Sequence, residues 1–130
     1  MIPNSQGYRA YQNNKYTTAS PHRLITMLYD GVLRFTSQAG KALNSKEYEL
    51  ANQSLKRSQD ILYELISCLN MKDGGQIAEN LRNLYLYAID LTIKANVQKN
   101  SSYLSEVISI ITELKGAWEQ IGKEVSVNHV

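Results

Sequence analysis

Apolar positions along the chain recur with helical period in four runs. Leu24, Leu28, Val32, Phe35, Ala39 and Ala42 share one face of a first helix over about 21–43. Ser20 is suited to cap its start, and Pro21 stands at the first helical position, where no N–H is needed. Ala51, Leu55, Ser58, Leu62, Leu65 and Leu69 mark a second helix over 46–70, with Ser45 as its expected N-cap. Ile77, Leu81, Leu84, Ala88, Leu91 and Ala95 mark a third over 76–98. Leu104, Val107, Ile111, Leu114, Trp118 and Ile121 mark a fourth over 102–121. Asp73-Gly74-Gly75 offers the positive φ angles of a reversal before the third. Long helices with short connections force neighbours to run antiparallel. The predicted fold is therefore all-α, an up-down-up-down four-helix bundle over 20–122. Residues 1–19 read as a short capping segment packed on the bundle, and 123–130 as a frayed tail.

The third helix carries more apolar residues than one core face uses. Its core stripe centres near Ile77, Ala88 and Ala95, while Leu86, Ile93 and Val97 point roughly the opposite way. Ile89 lies between these and the flank holding Tyr85, and Tyr87 takes the other flank. A helix that is apolar nearly all round needs cover on its outer side as well. Either the N-terminal segment or a neighbouring helix supplies that cover, or the surface is a partner groove with anchors at Tyr85, Ile89, Ile93 and Val97. Tyr8 and Tyr11, three apart in a polar context, suit a removable cover whose rings pack while their hydroxyls stay wet.

Asp30-Gly31 interrupts the first helix where its stripe is strongest, although glycine inside a helix costs about 1 kcal/mol relative to alanine. Gly31 falls at the edge of the core face. The expectation is that it lets another backbone approach closely, with Asp30 accepting a hydrogen bond from the N-terminal segment.

Composition narrows the chemistry. The 14 basic and 12 acidic residues are scattered, so no nucleic-acid footprint is indicated. No apolar run approaches the roughly 18 residues of a membrane span, and the first residues lack the apolar core of a signal peptide. Cys68 is the lone cysteine, which fits a reducing compartment, and it reads as a small core hydrophobe. The two histidines, His22 and His129, have no acidic partner at ligand spacing, so neither a metal nor another cofactor is expected. Lys56/Asp60 and Asp90/Lys94 have the spacing of surface ion pairs. No polar constellation suited to catalysis appears, and the protein is not expected to be an enzyme.

Several blocks in order, "GYRAYQ", "TTASPHRLITMLYDG", "KDGGQIAENLRNLYLYAIDLTIKAN" and "AWEQI", resemble the flagellin-specific export chaperones, the FliS family. The likeness covers nearly the whole chain. It is most specific in Thr18-Ala19-Ser20-Pro21, in the run from Leu24 to Gly31, and from Gly74 to Asn96. The resemblance implies a cytoplasmic bundle that binds the disordered C-terminal region of flagellin 1:1 along its helical surface. It implies that the bound client is kept from polymerising and is delivered to the type III export gate. It also implies that Tyr8 and Tyr11 plug part of the client groove. A regulatory adaptor that uses the same bundle to bind another export component or an anti-sigma factor is the alternative, with the export gate and other small flagellar regulators as further candidate partners.

Overall fold

The structure is a computed structural model that describes residues 20–128, with side chains described through Lys123. Four helices occupy this span: α1 (Pro21–Asn44), α2 (Tyr48–Ser67), α3 (Met71–Gln98) and α4 (Ser102–Asn128), with no strand among the described residues. Each helix packs on its two neighbours in a closed ring, α1 on α2 and α4, and α3 on α2 and α4. The all-α antiparallel four-helix bundle follows, as the periodicity requires.

Ser20 caps α1 as expected: its hydroxyl accepts from the Arg23 N–H at 3.1 Å, and Pro21 occupies the first turn. Ser45 does not start α2. It ends α1, and Lys46 follows in the left-handed region at φ 61°, so that Glu47 N–H reaches back to Ala42 C=O at 2.8 Å. A residue serving as that stop cannot also open a helix, which delays α2 to Tyr48. The end of α3 repeats the device, with Lys99 at φ 53° and Asn100 N–H on Ala95 C=O at 3.0 Å.

Helical turns of α3 begin earlier than the glycines suggest. Asn70 caps Asp73 N–H at 3.0 Å and opens a turn at Met71. Gly75, at φ 54° and ψ −133°, then breaks the path, and regular helix resumes at Gln76. The fourth helix continues through Asn128, past the boundary at Ile121 that periodicity suggests.

Two groups of side chains fill the interior. A small-residue layer of Ala39, Ala42, Ala51 and Ala95 surrounds Leu43, Leu55 and Leu104 at one end. A larger cluster built on Leu28, Val32, Leu62, Leu65, Val107 and Ile111 fills the rest. Burying each large aliphatic is worth roughly 1.5–3 kcal/mol. Hydroxyl pairs cross this interior: Thr36 to Ser58 at 2.9 Å, and Tyr29 to Tyr85 at 2.6 Å. Gln59 donates to Thr92 at 3.1 Å. These bonds satisfy polar groups that burial would otherwise penalise.

Candidate functional site: an apolar stripe and an end cavity

The outer face of α3 is exposed and apolar. Leu86 is 43%, Ile93 45% and Val97 75% accessible, as surplus apolar character on this helix predicts. Around them, Asp90 and Lys94 form an ion pair at 3.2 Å, and Tyr87 donates to the Glu106 carboxylate of α4 at 2.8 Å. That bond raises the Tyr87 hydroxyl above its ordinary range. The start of α2 meets the end of α3 through Asn96 donating to Asn52 at 2.8 Å and Lys99 standing 5.2 Å over the Tyr48 ring. Tyr48 and Leu50, themselves exposed, add apolar area beside that junction.

Two expected anchors of this stripe are core residues instead. Tyr85 and Ile89 are buried in the main cluster, and Tyr85 spends its hydroxyl on Tyr29. The four-residue spacing that links Tyr85, Ile89, Ile93 and Val97 advances about 40° per step on a helix with 3.6 residues per turn. The row therefore winds from the interior to the surface. Leu86, Ile93 and Val97, related by steps of seven and four, stay on one face. Ile77 errs in the other direction: expected in the core stripe, it is 73% exposed. Periodicity fixes the angle around the axis and not whether a neighbouring helix reaches that level. Tyr8 and Tyr11 lie outside the described residues.

Among the described residues the Asp30-Gly31 pair meets α2 and α4, and the expected bond from the N-terminal segment to Asp30 lies outside them. A Cβ on Gly31 would stand 2.8 Å from Cδ1 of Ile61, a buried side chain that would have to shift. It is thus a side chain of α2, not a passing backbone, that needs the glycine. Asp30 accepts from Lys115 of α4 at 2.6 Å, which holds the lysine ammonium above its usual range. The pair ties α1 to both of its neighbours.

At the opposite end from the alanine layer, the first turn of α1, Cys68 and the far part of α4 line an open pocket of about 1170 Å³. His22 and Trp118 form its wall. Their rings stack at 4.7 Å and 8°, Nε2 of His22 donates to the Trp118 carbonyl at 2.7 Å, and Trp118 Nε1 donates to the His22 carbonyl at 2.9 Å. Cys68 is exposed at the end of α2 and is not the core hydrophobe its apolar context suggests. Desolvation and the neighbouring Glu64 carboxylate push its thiol up, which disfavours the reactive thiolate. Asp60 is buried, and desolvation raises its carboxyl while the charges of Lys56, its expected partner, and Arg57 oppose that rise. Among the described residues no three His, Cys, Asp or Glu side chains cluster to hold a metal, and no helix is long and apolar enough to cross a membrane. Sequence reasoning placed His22 in the first turn of α1 and Trp118 in the fourth stripe. It had no signal for joining them across 96 residues.

These features define a four-helix bundle with an exposed apolar stripe on its third helix. The chain belongs to the FliS family: the profile described as Flagellar protein FliS matches residues 4–125. It is 36% identical over 126 residues to the flagellar secretion chaperone FliS of Campylobacter jejuni, covering 97% of this chain and 98% of that one. Proteins of the same name from Vibrio cholerae and Bacillus subtilis are 36% and 33% identical, over 86% and 87% of this chain and 82% and 84% of theirs.

Proposed function

We propose that this protein is a cytoplasmic flagellar secretion chaperone whose client is the disordered C-terminal region of flagellin. It holds that region 1:1, prevents premature polymerisation and keeps the client competent for type III export. Family membership supports the chaperone role, and the exposed stripe of Leu86, Ile93 and Val97 is the observation that supports an extended apolar client. A disordered segment loses conformational entropy when it binds. A long, shallow apolar surface offsets that loss by distributing contacts along the segment. In this reading Tyr8 and Tyr11 belong to a removable cover over the groove, and no catalysis or cofactor takes part.

Isothermal calorimetry with a flagellin C-terminal peptide tests the assignment. Ile93→Asp places a charge on the outer stripe, so helicity by circular dichroism should stay at the wild-type level while affinity falls about tenfold or more, the effect of roughly 1.4 kcal/mol. Ile89→Asp, one turn away and buried, should unfold the bundle instead. Wild-type affinity in a folded Ile93→Asp variant removes the stripe from the binding site.

A further inference from the structure

We infer that the far part of α4 is a detachable strap, fastened to the first turn of α1 by a clasp centred on His22, and that its release removes one wall of the end pocket. Past Ile111 no described residue of α4 is fully buried; Leu114, Lys115, Trp118 and Gly122 are half-buried and the rest are exposed. Leu114 and Trp118 reach the edge of the main cluster, and Lys115 reaches Asp30. The last two inward positions, Trp118 and Gly122, both meet His22. Helical segments with few buried contacts open locally at lower free energy than the core, and here the outermost contacts converge on one imidazole.

The clasp is specific in its chemistry. Two reciprocal hydrogen bonds join His22 and Trp118, each from a ring N–H to the other residue's backbone carbonyl, and the rings lie nearly parallel. The 2.7 Å contact requires a proton on Nε2 of His22, because a carbonyl only accepts. Gly122 supplies the clearance: a Cβ there would collide with Cε1, Nε2 and Nδ1 of the same ring. The ring cannot swing aside without losing both the stack and its bond to Trp118. Trp118, Ile121 and Gly122 line the pocket together with Leu24 and Ile25, so lifting the strap removes one wall.

Gly116 provides an internal control. It lies in the same helix, and a Cβ there meets nothing within 4 Å. Helix propensity favours alanine over glycine at both positions by about fivefold in the local equilibrium. Native-state hydrogen exchange on the full chain, read by mass spectrometry, separates the two effects. Gly116→Ala should slow exchange of the amides around 117–123 by up to about fivefold. Gly122→Ala should accelerate them about tenfold or more and leave those at 104–111 unchanged. His22→Gln should act as Gly122→Ala does, and in both variants emission from Trp118, the only tryptophan, should shift to the red as the indole meets water. If Gly122→Ala slows exchange as Gly116→Ala does, the clasp does not exist. Acceleration spread evenly over the whole chain would make His22 and Gly122 part of the global core and would equally overturn the strap.

Discussion

The two ends of the bundle are built on opposite plans. At the end where α1 passes into α2 and α3 into α4, alanines at 39, 42, 51 and 95 let the helices approach closely around Leu43, Leu55 and Leu104. Both connections there are tight, each closed by a lysine in the left-handed region. At the other end the interior is filled by long side chains, α3 starts with a break at Gly75, and the beginning of α1 and the far part of α4 line an open pocket of about 1170 Å³. Small residues leave little freedom to repack, whereas long ones beside an open pocket have room to rearrange. The closed end sets the register of the helices. The open end carries the inferred strap, and the outer stripe of α3 runs from the middle of the molecule to the closed end.

The largest expected effect separates the ends by truncation. Leu55 is wholly enclosed in the alanine layer, so Leu55→Ala should cost about 2–5 kcal/mol because its neighbours cannot collapse into the space. Ile121 lines the pocket and stays half exposed, so Ile121→Ala should fall within about 0.5 kcal/mol of wild type. Urea denaturation of both variants measures the difference, and equal losses would erase the distinction between a rigid and an adjustable end.

A second test concerns the long side chains of the wider half. The hydroxyls of Tyr29 and Tyr85 meet at 2.6 Å across the diagonal between α1 and α3. Tyr85→Phe leaves the buried Tyr29 hydroxyl without that partner, and a loss of about 1–3 kcal/mol is expected. The double Phe variant should lose less than the two single variants together, since no orphan remains. Burial is the main cause that raises both phenols above the ordinary value of 10.0, and in Tyr85 the bond to Tyr29 adds to it. A raised folded-state pKa gives stability that is intact below the unfolded value and is lost as pH climbs through the folded one. Wild type should therefore weaken between about pH 10 and pH 12 relative to pH 8, and the double Phe variant should weaken less. Identical alkaline profiles would mean that the pair is not buried in solution.

Much of this plan is legible in the sequence because core faces impose a period. Leu28, Val32, Ala39 and Ala42 of α1, and Ala51, Leu55, Ser58, Leu62 and Leu65 of α2, are buried where their spacing puts them. The surplus on α3 is legible too, in Leu86, Ile93 and Val97. The failures have two causes. Tyr85 and Ile89 lie near the boundary of the stripe, where an error of a few tens of degrees moves a residue from surface to core. Ile77 and Ile121 have core angles but stand where the bundle leaves them uncovered. Contacts between distant segments, such as His22 with Trp118 or Asp30 with Lys115, depend on how the helices pair, and no local pattern encodes that.

The smallest expected effect sits at the closed end and runs toward greater stability. Lys46 holds φ 61°, a conformation that costs a residue with a Cβ roughly 1–2 kcal/mol and that glycine adopts freely. The position is needed because Glu47 must turn back to reach the Ala42 carbonyl. Lys46→Gly keeps this geometry and removes the strain, while glycine's greater freedom in the unfolded chain takes back part of the gain. A net increase of about 0.5–1 kcal/mol is expected, seen as a higher urea midpoint with an unchanged slope. A loss of stability would show that Lys46 contributes through its side chain and that the closed end is less completely fixed by its backbone than the paired lysine turns indicate.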